Sequence, residues 1–404
     1  MAKPSCCGGA PDAKEEKIRY GKLIGTVSVQ SRLKAPARTT GCCEAGSKPA
    51  PGQACNASSK KIQEPWVLGP IDTPAGKIPR VKTQLSMKDR LGSFKCRWNI
   101  GRMDYKVDPG LFCVGTPDDQ SPVLVTANYK MTFDRVRSEL GGISAWIVVL
   151  DTDGINVWCA AGKGTFGTKE LVHRISVTKL AKVVSHRTVI VPQLGATGIA
   201  AHEVLKQSGF KVAYGPVRAE DLKAYLQAGM VATKRMRTVE FTMLDRLVLT
   251  PMELVFAIKP LTLFFGAMFI LNTIGLGQYG FADLIALLGA VITGCIAVPV
   301  LLPFLPGRAF SFKGFVLGLL FAVAVNVWQG FPNTPAYGWL KAAAYLLVIP
   351  ALSSFLAMNF TGSSTYTSLS GVDKEMKIAL PAIILSAGAG VILLLVSGFV
   401  KVTG

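Results

Sequence analysis

The chain is poor in histidine and in acidic groups, and it has no cysteine pair spaced for a metal. Its 404 residues include three histidines, His173, His186 and His202. His202-Glu203 is not followed by the second histidine of a zinc-protease helix, because Lys206 stands there. Each histidine reads as a helix-surface or strand-edge residue. The nine cysteines contain no Cys-x-x-Cys, so the usual zinc and iron–sulfur frameworks are excluded. In a reducing compartment no disulfide framework is expected of them either. Met1–Arg19 lacks an apolar core, so no cleavable signal peptide is expected and the chain is expected to start in the cytoplasm.

Acidic residues number 25 against 44 basic ones, a formal net charge of +19. Such a balance raises nucleic acid as a partner. The basic residues are scattered, however, and Lys234, Arg235, Arg237 and Arg246 gather just before a long apolar run. That placement suits anionic lipid headgroups, at about 1 kcal/mol for each base near the surface. No nucleic acid is expected. An acidic redox protein is a second candidate for the positive surface.

Beyond Pro251 charges nearly vanish. Half of all residues are hydrophobic and the mean hydropathy is +0.38. Five runs are long enough to cross a bilayer: Pro260–Leu276, Phe281–Leu302, Phe315–Gln329, Leu340–Met358 and Ile378–Val400. The links Gln278–Gly280 and Phe331–Pro335 carry no base, whereas the other links carry Arg308, Lys313, Lys374 and Lys377. Basic loops stay inside. The expected topology is a multi-pass protein of the inner membrane, with its N-terminal region cytoplasmic and its C-terminus outward. Few charges fall inside the runs, with Asp283 and Asp373 near ends. This scarcity argues for an anchor or docking platform over a transporter. Cys295 reads as packing.

Three segments are expected: a flexible cysteine-containing tract over 1–75, a cytoplasmic domain over 76–235 and a transmembrane domain over 236–404. In the tract, Cys6-Cys7, Cys42-Cys43 and Cys55 read either as incidental thiols or as a transient trap for a soft metal ion. In the second segment strands and helices alternate. Val123–Thr126, Trp146–Leu150, Arg187–Val191 and Lys211–Ala213 read as strands. Lys130–Leu140, Thr168–Leu180, Thr197–Ser208 and Arg218–Gln227 read as helices. Val81–Val114 reads as a small strand-rich lead-in. The fold class is α/β, Rossmann-like, followed by an all-α bundle of about five spans. In such sheets ligands bind beyond the carboxyl ends of the strands, at Thr126–Tyr129, Thr152–Trp158, Gln193–Ala196 and Tyr214–Val217.

Gly162-Lys163-Gly164-Thr165-Phe166-Gly167 matches G-x-G-x-x-G by letter. The polar link Asp151–Asn156 separates it from its strand, and Arg187 and Thr188 stand where a ribose-binding acid belongs. A dinucleotide site is therefore disfavoured, and the P-loop pattern is absent. The run Asn156-Val157-Trp158-Cys159-Ala160-Ala161-Gly162-Lys163 is more informative. A thiolate at the start of a helix is a soft anionic metal donor. No histidine lies in the Asp-x-His-x-x-Gly pattern of histidine-ligated cobalamin proteins, so Cys159 is the candidate axial donor if a corrinoid binds.

Val114–Lys130, Pro192–Gly198 and Tyr214–Arg218 resemble corrinoid segments of the corrinoid iron–sulfur proteins of acetyl-CoA synthesis. The Asn156–Lys163 run resembles the cap helix of the corrinoid protein family of mercury methylation. The resemblance implies a cobalamin-type corrinoid with Cys159 as lower axial cobalt ligand and catalytic residue, where the acetyl-CoA relatives have threonine. It implies methyl transfer to mercury(II), giving methylmercury. It also implies a small two-cluster (4Fe–4S) ferredoxin-like reductant and a methyltransferase as methyl donor. Thr126, Asn128 and Tyr129 are expected on one side of the ring, with Asn156, Val157, Trp158 and Ala160 beneath it. Gly195, Ala196, Gly215 and Val217 are expected along the nucleotide tail. The alternative is a membrane-anchored corrinoid methyl carrier in one-carbon metabolism of the acetyl-CoA pathway.

Overall fold

A computed structural model describes residues 64–275, 279–333, 336–363, 366 and 369–403. The paired cysteines of the N-terminal tract, and Cys55, lie outside these residues. Ordered structure opens with a hairpin, β1 (Val67–Thr73) and β2 (Gly76–Val81), so the sheet begins before position 76, the expected start of the domain. Helix α1 (Met87–Arg97) follows, then β3 (Gly110–Val114). The expected strand-rich lead-in thus contains a helix. Its start is fixed by a capping box: Ser86 Oγ accepts from the Asp89 amide, and Asp89 Oδ2 accepts from the Ser86 amide.

The alternating part reads β4 (Val123–Ala127), α2 (Lys130–Glu139), β5 (Ala145–Leu150), α3 (Val157–Lys163), α4 (Thr168–Val177), β6 (Thr188–Val191), α5 (Ala201–Ser208), β7 (Lys211–Tyr214) and α6 (Leu222–Gln227). Strand order in the seven-stranded sheet is β1-β2-β3-β5-β4-β6-β7. The β5-β4-β6-β7 neighbours are parallel, as expected from the alternation. β3 departs from it and runs antiparallel to β5. Helices α4, α5 and α6 are shorter than the apolar pattern suggests, because single 3₁₀ turns occupy Leu180–Lys182 and Ala219–Asp221 and an irregular loop precedes Ala201.

Every residue of β4 and β5 is buried, which explains why these strands read as unbroken apolar runs. Side chains alternate between faces. Val123, Val125, Trp146 and Val148 pack toward α3, α4 and α5, while Leu124, Ile147 and Val149 pack toward α2 and α6 through Phe133 and Tyr225. At the edge of the second layer a buried ion cluster fixes α1 to α2. Lys130 Nζ lies 3.0 Å from Asp89 and 2.7 Å from Asp134 Oδ2, and Arg137 Nε donates to Asp134 at 2.7 Å. Arg137 Nη2 lies 3.0 Å from Asp89 without hydrogen-bond geometry, so this last contact is an ion pair alone. Burial raises the Asp89 pKa, but Lys130 and Ser86 outweigh it and hold the carboxyl well below the usual range.

The C-terminal region comprises α7 (Met243–Leu247), α8 (Thr250–Thr273), α9 (Phe281–Ile292), α10 (Val298–Leu301), α11 (Phe310–Trp328), α12 (Ala336–Asn359) and α13 (Leu369–Thr403). Five helical stretches are long and apolar enough to cross a membrane: Met243–Thr273, Phe281–Phe304, Phe310–Trp328, Gly338–Asn359 and Ser370–Phe399. The first begins well before Pro260, which lies inside α8. Proline bounds a soluble helix more sharply than an apolar one, where neighbouring helices compensate the lost hydrogen bond. A π-turn, Thr293–Ala297, joins α9 to α10 and buries Cys295.

Candidate functional site

The strand order places the fold's switch point at β4, whose two neighbours are reached by connections on opposite faces of the sheet. Chain ends diverge there and leave a crevice. A cavity of about 510 Å³ occupies it, within the usual range for small-molecule sites. Seven of the twelve expected binding residues line it: Thr126, Tyr129, Asn156, Val157, Trp158, Gly215 and Val217. Asn128, Cys159, Ala160, Gly195 and Ala196 do not.

Thr126 is buried, and its Oγ1 has no hydrogen-bond partner among the described residues. Gln193 Oε1, between the cavity residues Pro192 and Leu194, is likewise buried without a partner. Unsatisfied buried polar atoms are costly unless something else meets them. Tyr129 is buried, and its hydroxyl lies 3.0 Å from the thiol of buried Cys96. Burial, then the Cys96 contact, push its pKa above the ordinary phenol value, so it stays neutral.

Asn128 does different work. Its Oδ1 accepts from the Thr152 amide (3.1 Å), the Thr152 hydroxyl (2.8 Å) and the Gly154 amide (2.9 Å), and its Nδ2 donates to Asp151. The amide is thus committed to the loop that carries α3. That loop ends at Asn156, whose side chain caps α3 by accepting from the Cys159 amide at 2.9 Å. Cys159 is therefore in the first turn of α3, and it is exposed. Its neighbour Trp158 is 45% exposed at the cavity rim. Ala160 is fully buried beneath them. Lys163 is exposed to solvent.

The small residues at 195 and 198 serve α3. A Cβ on Gly195 would stand 2.4 Å from the Phe166 ring, and one on Gly198 would stand 2.1 Å from the Phe166 carbonyl oxygen. The expected role of Gly195 is to admit a nucleotide tail; the close approach it allows is to Phe166. Gly215 does face the cavity, against Ile190. The G-x-G-x-x-G letters fall at helix ends. Gly164 ends α3 in the left-handed region at φ 82°, and Gly167 caps α4. None of the glycines follows a strand, as a dinucleotide loop requires.

Ser93 and Arg97 of α1, Arg135 of α2, and Arg218 also line the cavity. None of them is among the residues expected from the sequence. Arg218 follows directly on the strand-end segment Tyr214–Val217, but α1 lies outside the alternating region and gives no such signal. Burial, with Arg102 nearby, lowers the Arg97 pKa. Two of the histidines are exposed, and His186 bonds the Ser121 carbonyl at the strand edge. Among the described residues no three metal-ligating side chains come together.

The stretch 95–226, from the end of α1 through α6, matches the family model described as CO dehydrogenase/acetyl-CoA synthase delta subunit. All twelve expected residues lie in it, and the five apolar helices lie beyond it. The chain is 34% identical over 136 residues to the acetyl-CoA decarbonylase/synthase complex subunit gamma of Archaeoglobus fulgidus, covering 32% of this chain and 28% of that protein. It is 28% identical over 166 residues to the subunit of the same name from Methanopyrus kandleri, covering 41% and 31%. The gamma 2 subunit of Methanosarcina thermophila is 34% identical over 130 residues, covering 31% and 27%. The chain thus spans less than a third of the length of these relatives.

Proposed function

We propose that the sheet domain holds a corrinoid in the switch-point cavity and that the chain works in methyl transfer, with Cys159 as the lower axial donor to cobalt. The observation that carries this reading is the exposed Cys159 thiol in the first turn of α3, beside a cavity whose wall holds Thr126, Tyr129 and Trp158. The residues fit such a group. A corrinoid is fringed with amides, and Thr126 Oγ1 and Gln193 Oε1 are buried polar atoms without a partner among the described residues. A thiolate is a soft, electron-rich ligand suited to a polarizable metal. Names of the relatives point the same way, since they belong to acetyl-CoA decarbonylase/synthase complexes.

When bound, the corrinoid supplies a cobalt centre able to carry a methyl group. The chain's own residues do the rest. Asn156 and Asn128 fix the helix start that presents Cys159. Trp158 covers the rim against water, Val157 and Ala160 anchor α3 to the core, and Tyr129 offers a neutral hydroxyl. Gly215 and Val217 form the opposite wall.

Two acceptors are open. The relatives' names favour the carrier reading, in which the protein passes methyl groups between enzymes of one-carbon metabolism. One residue favours inorganic mercury(II) as substrate: Cys159, an exposed thiol in the first turn of α3, would be a soft, electron-rich donor to the metal, which would suit methyl transfer to a soft, electron-poor acceptor. Both readings call for partner proteins, because the relatives are subunits of complexes. We assign a small two-cluster (4Fe–4S) ferredoxin-like reductant and a methyl-donor methyltransferase. The five apolar helices anchor the protein in the inner membrane, with the sheet domain cytoplasmic and the C-terminus outward.

The test is to titrate cobalamin into the full-length protein and its Cys159→Ala and Cys159→Thr variants. The expected result is a cobalt absorption spectrum that shifts in both variants. An unshifted spectrum removes the axial role. Methyl-loaded protein is then offered mercury(II). Methylmercury formed by the parent and reduced by about 10²-fold or more in the alanine variant, the scale of losing one dedicated catalytic group, selects the mercury reading. Its absence selects the carrier.

A further inference from the structure

Helix α1 shows solvent the wrong face. At about 100° per residue, Met87, Leu91, Phe94 and Trp98 fall on one narrow stripe. That stripe points outward: Met87 is 82%, Leu91 53% and Phe94 58% exposed. The ring centroids of Phe94 and half-buried Trp98 lie 6.3 Å apart, which carries the stripe to the end of the helix. Asp89 and Cys96 occupy the opposite face and are buried. Ion pairs from Asp89 to Lys130 and Arg137 hold the helix in this rotation, so the apolar face cannot simply turn inward.

The stripe is flanked by cations. Lys88, Arg90 and Lys95 are exposed and form no ion pair among the described residues, and the helix's single acid, Asp89, faces the protein. An apolar ridge with Lys88 and Lys95 on one side and Arg90 on the other matches an anionic bilayer surface, where apolar side chains enter the headgroup boundary and cations meet phosphates. Position supports that occupant. Arg97, at the end of α1, reaches the Val248 carbonyl at 3.5 Å, in the first turns of the Met243–Thr273 span. Met243, Leu244 and Leu247 of α7 are exposed apolar residues in that same segment.

We infer that α1 is an interfacial docking helix whose Met87-Leu91-Phe94-Trp98 ridge lies in the anionic headgroup layer of the membrane that the apolar helices cross. This rests on the membrane reading given above. Docking bears on the site as well, because Ser93 and Arg97 on the inner side of α1 line the cavity. The docked bilayer therefore becomes one support of the cavity rim.

The experiment places a photoreactive benzoylphenylalanine in the full-length protein, Phe94→benzoylphenylalanine, in nanodiscs of phosphatidylcholine with or without phosphatidylglycerol. A matching Phe269→benzoylphenylalanine variant reports the first span, where Phe269 is exposed. Adducts are read by mass spectrometry. The expected result is lipid adducts at both positions, with the yield at 94 rising with phosphatidylglycerol and falling roughly fivefold for Lys88→Gln and again for Arg90→Gln. Lipid adducts at 269 with none at 94 overturn the docking and leave the spanning reading intact. Protein adducts at 94, to the N-terminal residues or to a second copy, overturn it too, because another occupant then covers the ridge. No lipid adduct at either position overturns both readings. Hydrogen exchange of the parent protein's 87–98 amides tests the docking free of any substitution: slower exchange with phosphatidylglycerol than without supports it, and equal exchange overturns it.

Discussion

At the scale of single residues, the site depends on an amide that does not face it. Asn128 gathers the Thr152 and Gly154 amides onto one oxygen, with the Thr152 hydroxyl shared between it and the Ile155 carbonyl, and so folds the Asp151–Asn156 loop against the end of β4. Asp153 within it takes the left-handed conformation at φ 56°, which aspartate tolerates better than most residues. In Asn128→Ala the Thr152 and Gly154 amides lose their acceptor in a buried place, at a cost of about 1–3 kcal/mol, while the Thr152 hydroxyl keeps the Ile155 carbonyl at 2.7 Å. The expected outcome is a lower thermal midpoint and at least a tenfold loss of corrinoid affinity, measured by titration, with Cys159 still present. Asn128→Asp keeps the acceptor oxygen but sets a carboxylate beside Asp151, and should weaken binding more at pH 7 than at pH 4. A change in stability without a change in affinity would separate the loop from the site. The sequence places Asn128 correctly at a strand end. It does not reveal the role, because hydrogen-bond partners more than twenty positions away have no local signature.

At the scale of elements, the glycines around α3 divide into two kinds. Gly198 is boxed in by the Phe166 carbonyl and the Ala161 backbone, while a Cβ on Gly162 meets nothing within 4 Å. Gly198→Ala should therefore cost about 1–3 kcal/mol through overpacking, push α3 away from the Gln193–Gly195 turn and lower corrinoid affinity. Gly162→Ala should leave stability equal or raise it by up to about 1 kcal/mol, since it replaces glycine inside a helix. Thermal unfolding of the two variants checks the contrast, and equal losses would refute it. The elements themselves differ in legibility. β4 and β5 stand out because burial on both faces leaves no polar position to blur them. Helix α1 does not, because its apolar side chains face outward and its inner face carries Asp89, Gly92 and Ser93. A periodicity that assumes apolar means inward reads such a helix as turns and strand. The ends of α4 and α6 fail for a related reason: a 3₁₀ turn continues the apolar spacing but not the α-helical bonding.

At the scale of the whole molecule, one arginine latches the sheet domain's last connection onto the apolar helices. Arg246 is buried in α7, and its partners are main-chain oxygens: Phe241 at 2.6 Å by Nη1, and Val300 at 2.9 Å by Nη2. Val300 lies in the last turn of α10, where carbonyls are left without helical partners and the helix end is negative. A guanidinium satisfies both conditions, and a methionine of similar length satisfies neither. Next to it, Arg218 on the cavity wall pairs with Asp245 at 2.7 Å, so the same short helix touches the site on one side and the bundle on the other. Arg246→Met should release α7 at a cost of about 3 kcal/mol, the range for charged hydrogen bonds lost from a buried place. The sheet, with cores of its own, should keep its stability. Hydrogen exchange in nanodiscs reads both parts at once. Amides 239–249 should exchange faster by about 10²-fold, the equivalent of that free energy, while those of β4 and β5 stay as slow as in the parent. Faster exchange across the sheet as well would mean that domain and bundle unfold as one unit, and that α7 is part of a shared core and no latch.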